Sequence, residues 1–331
     1  MNARMRIKLS KKLSLFVMAL GFSCVVMAQQ EPQFSQYMFN RMSYNPGYAG
    51  SSGSICATAM YRNQWMGLKL DSPTGGSSAG VTPQDILFEF DAPVKFLHGG
   101  LGFSFVSDKV GYHDNLNIAL DYAFRMFWGP GNLSVGIEAD LYNSTLNLED
   151  LHGRDPNDPL LSSQEASAML IDGAVGLYYQ VPGKYYVGLS VKNLLGSHSD
   201  EIHFTNARTV YALGGFDYTP AGAPSVRIKP SALLKTSNFS YFQADMSCLV
   251  DYRNSFWGGV GYRVQDAIYV MAGVHAKGFR IGASYDLTTN KLGGFKTGRS
   301  AGSVELYLRY CFKVTVPQKP GTSYGNTIYL D

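Results

Sequence analysis

Leu116-Asn117-Ile118-Ala119-Leu120-Asp121-Tyr122-Ala123-Phe124-Arg125-Met126 is the stretch on which the fold turns. Read with a period of two, Leu116, Ile118, Leu120, Tyr122, Phe124 and Met126 share one face. Asn117, Ala119, Asp121, Ala123 and Arg125 share the other, the spacing of a β-strand and not of a helix. A soluble sheet could bury such an apolar face too, so the neighbouring segments must decide. In 133–141, Leu133, Val135, Ile137, Ala139 and Leu141 alternate with Ser134, Gly136, Glu138 and Asp140. In 279–287, Phe279, Ile281, Ala283, Tyr285 and Leu287 stand opposite Arg280, Gly282, Ser284 and Asp286. Ionisable residues repeatedly share a face with small ones, which is the pattern of a lipid-facing wall around a polar lumen.

Marking every such run predicts strands over 54–62, 84–92, 99–108, 115–127, 131–142, 169–180, 184–192, 207–219, 225–236, 239–251, 255–264, 267–276, 278–288 and 303–312. The set predicts an all-β fold, a transmembrane antiparallel outer-membrane β-barrel of about fourteen strands. The least regular runs are 84–92 and 225–236, where Pro93 and Pro230 interrupt and remove a ladder donor. Connections provide a separate test. The long ones, 63–83, 143–168, 193–206 and 289–302, all follow odd-numbered strands, whereas Gly129-Pro130, Val181-Pro182 and Lys277 mark short turns after even-numbered ones. Long loops on one side and tight turns on the other is the outer-membrane arrangement, and a soluble sandwich has no cause to sort its loops so.

Composition fits this reading and narrows the alternatives. The chain is 45% hydrophobic yet contains no second apolar run of the ~18 residues that a helical span needs, so a helical membrane protein is excluded. The net charge of +3 is too small and dispersed to predict a nucleic-acid partner. At the N-terminus Arg4, Arg6, Lys8, Lys11 and Lys12 precede an apolar run, Leu13 to Met27, that closes on Val26-Met27-Ala28. A basic lead, a run short of the ~20 residues of a spanning helix and a small-residue end predict a signal peptide over 1–28, cleaved near Ala28. The expected organisation is then a 29–53 segment at the barrel mouth, a barrel over 54–312 and a periplasmic tail over 313–331.

Catalytic chemistry finds little support. The six histidines, His98, His113, His152, His198, His203 and His275, have no metal-ligand spacing, and no metal or cofactor is expected. His198 to His203 is read as a solvated loop, and Asp155-Pro156-Asn157-Asp158-Pro159 lacks the flanking ligands of a calcium loop. Neither a nucleophile elbow nor a phosphate loop occurs in strand-turn-helix context. The sequence predicts no enzyme.

Several blocks carry a family resemblance. Pro32-Gln33-Phe34-Ser35-Gln36-Tyr37-Met38-Phe39-Asn40, Tyr44-Asn45-Pro46-Gly47-Tyr48-Ala49-Gly50 and Tyr61-Arg62-Asn63-Gln64-Trp65 open the mature chain. Ile228-Lys229-Pro230-Ser231-Ala232-Leu233-Leu234, Gly261-Tyr262-Arg263 and Gly282-Ala283-Ser284-Tyr285-Asp286-Leu287-Thr288 follow later. Together they resemble the PorP/SprF family of the type IX secretion system of Bacteroidota. The resemblance implies a Gram-negative outer-membrane protein embedded in outer-membrane lipid and needed for export or surface attachment of cargo bearing a C-terminal sorting domain, with gliding adhesins the cargo in some relatives. It also implies partners among the periplasmic ring and peptidoglycan-binding proteins. A porin-like diffusion channel is the competing reading of a barrel this size, because inward side chains could leave the lumen open or plug it.

Beside that resemblance, individual residues suggest contacts. Tyr61, Arg62, Asn63, Gln64 and Trp65 stand at the outer end of the first strand, where they serve either as an interfacial girdle with a polar rim or as cargo contacts. Phe34, Tyr37, Phe39, Tyr44 and Tyr48 are too aromatic for a bare linker, so the segment is expected to pack against or inside the barrel mouth. In the tail, Tyr324, Ile328, Tyr329 and Leu330 suit either a periplasmic contact or a free terminus. Cys56 shares the polar face of Thr58 and Arg62, and Cys311 that of Glu305 and Arg309. Closure of first strand on last brings both thiols toward one seam, where a disulfide is possible if the stagger allows it. Cys248 falls with Ala244 and Met246 on the opposite face.

Overall fold

The computed structural model describes residues 31–68, 82–147, 166–200, 202, 204–290 and 300–312. The signal-peptide and tail expectations, with Tyr324, Ile328 and Tyr329, lie outside them. Fourteen strands close into one antiparallel barrel. In chain order they are β1 (Ile55–Asn63), β2 (Gln84–Val94), β3 (Gly99–Val110), β4 (His113–Trp128), β5 (Gly131–Leu146), β6 (Ala166–Val181), β7 (Tyr185–Lys192), β8 (Thr209–Phe216), β9 (Val226–Ser237), β10 (Tyr241–Tyr252), β11 (Phe256–Arg263), β12 (Ala267–Ala276), β13 (Phe279–Thr288) and β14 (Ser303–Phe312). Each pairs with its sequence neighbour, and β14 returns to β1.

The predicted faces hold. Leu120 is 62% exposed on the outer wall, while Asp121 beside it is 3% exposed and inward. Val135 and Ile137 likewise point outward, against Ser134 and Glu138 turned in. A wall that presents aliphatic groups outward and carboxylates inward is stable only with hydrocarbon outside and a polar filling within.

Both prolines occupy places where no ladder donor is needed. Pro93 lies beyond Asp91, the last β2 residue paired to β1, so its missing N–H faces no partner there. Pro230 lies one residue beyond Ser231, where the regular β8 ladder ends before the isolated Tyr218–Ile228 bridge. Regular pairing therefore continues on the other side of each strand without loss. The structure adds what periodicity did not show: a two-residue hairpin, His198–Ser199 against Phe204–Thr205, within the β7–β8 connection.

The connections after β1, β5, β7 and β13 form the long-loop end, and the β1 start and β14 end lie at the opposite, short-turn end. Lys277 and Gly278 close β12 to β13 in two residues, both at positive φ, the geometry that matches strand twist in a tight hairpin. In outer-membrane barrels the short-turn end is the periplasmic one.

Candidate functional site

The lumen is filled by the chain that precedes β1. Residues 34–51 run inside the wall and are almost wholly buried. Two short 3-10 turns, Arg41–Ser43 and Pro46–Tyr48, fold the segment. The second follows from local chemistry: the Asn45 side chain accepts from Gly47 N at 2.8 Å, and Pro46 supplies a φ suited to the first turn position.

Toward the long-loop end, the segment is gripped by charge. Glu305 accepts from Ser35 N at 2.7 Å through Oε2 and from Gln36 N at 2.9 Å through Oε1. Ser35 Oγ donates to Asp286 Oδ2 at 2.6 Å. Arg62 bridges the same carboxylates, at 2.9 Å to Asp286 and 3.1 Å to Glu305. Arg263 holds Asp245 at 2.8 Å and reaches Asp286 at 3.6 Å, and the Gln33 side-chain amide donates to Asp245. Five charged side chains from β1, β10, β11, β13 and β14 thus converge on Gln33, Ser35 and Gln36. Buried charges are tolerable when each is paired and hydrogen-bonded, as here.

Beside and below this layer the contacts are aromatic. Phe39 stacks on Tyr307 at 4.8 Å and meets Trp257 edge-on at 4.9 Å, while Tyr44 packs on Tyr211 and Tyr48 on Tyr178. Arg41 lies over the Tyr186 ring and donates to Tyr178 Oη at 3.0 Å. The Tyr37 and Tyr44 phenols are both buried. Tyr37 then exchanges hydrogen bonds with Ser231 and Ser247, and Tyr44 Oη accepts from Phe34 N.

At the short-turn end the wall grips backbone carbonyls. Arg125 donates to Ala49 O, Gly50 O and Ser51 Oγ, Gln180 to Ser51 O, and Arg309 to Phe39 O. Close approach requires glycine on the wall at Gly136, where a β-carbon would collide with the backbone of Pro46 and Gly47. Above the segment, at the long-loop mouth, a cavity of about 310 Å³ remains beside Phe34, Tyr44, Asp108, Tyr142, Lys192 and Asn206.

Arg62 is 1% exposed and committed to the internal network, because its even position on β1 turns it inward with Cys56, Thr58 and Met60. It therefore leaves the set of candidate cargo contacts. Tyr61 points outward, Asn63 ends β1, Gln64 N donates to Pro83 O, and Trp65 N donates to Ser303 Oγ. A disulfide joins Cys56 and Cys311, which are register partners across the β1–β14 seam. Glu89, which accepts from Ser43 N at 3.0 Å, and Asp245, Arg263, Asp286, Glu305 and Arg125 hold the segment, a role the sequence did not assign to any of them. Their signal was an inward charge at similar heights on separate strands, readable only once register is known.

The family described as "Type IX secretion system membrane protein PorP/SprF" matches residues 26–310. No curated protein sequence matches the chain. Among solved structures, the Acinetobacter baumannii outer membrane protein Omp33 is similar at 7% identity, with 79% of this chain and 100% of that one covered and a TM-score of 0.44. The CymD monoaromatic hydrocarbon channel is similar at 12% identity, covering 84% and 93%, with a TM-score of 0.45. The P. putida toluene transporter TodX is similar at 9% identity, covering 81% and 92%, with a TM-score of 0.43.

Proposed function

The chain belongs to the PorP/SprF family of type IX secretion system membrane proteins, and from that membership we propose that it serves in the outer membrane as a filled barrel that supports export or surface attachment of cargo and engages periplasmic machinery. The filled lumen carries this reading over a diffusion channel. A solute pore needs an open cross-section, and here residues 34–51 occupy it with hydrogen bonds to the wall at every level. Partners then meet the protein at its two ends.

On this reading residues 1–28 are a signal peptide removed near Ala28, 29–53 form the lumen segment, 54–312 the wall and 313–331 a periplasmic contact. Tyr61, Asn63, Gln64 and Trp65 are the loop-end contacts, and Tyr324, Ile328 and Tyr329 those of the tail. Crosslinked pulldown from native membranes should recover other secretion-system components and cargo with a C-terminal sorting domain. Deleting Lys313 to Asp331 should keep a heat-modifiable barrel and reduce recovery of periplasmic ring or peptidoglycan-binding proteins. Planar-bilayer recordings should show no steady conductance steps. Steady steps from the intact chain, with no secretion component recovered, would favour the diffusion channel instead.

A further inference from the structure

Beneath the lumen segment, facing the periplasm, the β9–β13 side of the wall carries a vestibule with an excess of cations over carboxylates. Arg227 and Lys229 on β9, His275 on β12 and Arg280 on β13 all occupy inward positions of their strands. One carboxylate serves most of them. Asp251 Oδ1 is 3.5 Å from Arg227, and its Oδ2 is 3.5 Å from both Lys229 and His275. Arg280 reaches this group only through His275, donating from Nε to Nδ1 at 3.2 Å. Its guanidinium otherwise lies 5.1 Å over the Phe39 ring at the base of the segment, and among the described residues it meets no carboxylate. Arg253 and Lys277 stand exposed on the adjacent turns. His275, accepting at Nδ1 and facing Asp251 through Nε2, is a bridge and not a cation, so among the described residues Arg227, Lys229, Arg280 and the rim pair Arg253 and Lys277 stand against two carboxylates, Asp251 and Asp217, the latter within electrostatic range of Lys229.

We propose that this vestibule is a docking site for an acidic peptide segment of a periplasmic protein. Like charges gathered in a concave wall of low dielectric focus a field that attracts anions from the aqueous side. The groups line the lumen and not the outer surface, so they face away from lipid headgroups around the wall. Carboxylate is the matching chemistry, since arginine presents a planar fork to it. The extent of the site selects a chain over a single ion: β9 to β13 spans four strand spacings of ~4.8 Å, with rim cations extending the row. Arg227 and Lys229 keep 39% and 25% of their side-chain surface open, enough for a ligand to reach them.

The vestibule's periplasmic orientation rests on the outer-membrane reading above; the binding itself does not. The full chain, folded in detergent, is titrated with a fluorescent hexaglutamate peptide, with hexalysine as control and inorganic phosphate as competitor. Hexaglutamate should bind at about 50 mM salt and weaken at about 500 mM, and K229Q/R280Q should lose about tenfold or more in affinity. Arg227→Gln, at a more open position, gives a second reading should the double variant lose its heat-modifiable band. Lys109→Gln, at the opposite end, should bind normally. Absence of hexaglutamate binding, equal binding by the vestibule variants, or complete displacement by phosphate at equal concentration each overturns the proposal. Failure here leaves the secretion role intact, and failure of native-membrane pulldown leaves this titration intact.

Discussion

Replacing Glu305 by glutamine separates the holding of the lumen segment from the holding of the wall. In the native chain each carboxylate oxygen accepts one backbone N–H, from Ser35 and from Gln36, and one of them also meets Arg62. The amide retains one oxygen and turns an NH2 toward the other donor. One charge-assisted bond of about 1.5–3 kcal/mol is lost and the second falls to about 1 kcal/mol, for a net weakening of about 2–5 kcal/mol. Arg62 keeps Asp286, and the β13–β14 and β1–β14 ladders lose nothing. Local opening at Ser35 and Gln36 should therefore rise about thirtyfold to about five-thousandfold, while the wall stays heat-modifiable. Hydrogen exchange with mass spectrometry in detergent reads both at once. Unchanged exchange over 33–38 with faster exchange in β13 and β14 would refute the assignment and make Glu305 a support of the seam.

Leu120→Arg, on the outward face near mid-wall, should cost about 2–4 kcal/mol and reduce assembly, whereas inward Asp121→Asn should fold; the reverse result in a heat-modifiability gel would mean the faces are exchanged. Gly136→Ala should push the Pro46–Tyr48 turn off the wall at a cost of about 1–3 kcal/mol, read as new protease cleavage within 41–54 from an otherwise intact barrel. Non-reducing peptide mapping should recover residues 56 and 311 on one linked peptide, and Cys56→Ser should leave Cys311 open to alkylation; alkylation of both in the native protein would remove the bridge.

The wall was legible because alternation is a local property: Leu116 to Met126 declares its two faces without reference to any other strand. Strand number and the sorting of long loops followed from the same signal. Segment 34–51 has no such period, since two 3-10 turns and backbone carbonyls held by Arg125 and Arg309 leave no repeat to count. Its aromatics foretold packing but not a path. Arg62 was misjudged for a related reason. Its place at the end of β1 suggested a rim, while parity, already plain from Cys56 and Thr58, turned it inward. Gly136 could not be recognised as a seat for Pro46, because the approach joins residues far apart in sequence and depends on register across several strands.

The course of that segment also orders events in time. It is continuous with β1 at the short-turn end, and its upstream end, at Glu31, bonds with Asn193 and Tyr211 toward the long-loop end. Were the wall to close first, residues 31–51 would have to be threaded afterwards into a sealed ring past bulky side chains. Enclosure as the last strand meets the first avoids this. Ser35 touches Arg62 on one lip of that junction and Glu305 on the other, so the segment is placed to act as a mandrel, aligning the two edges before they zip.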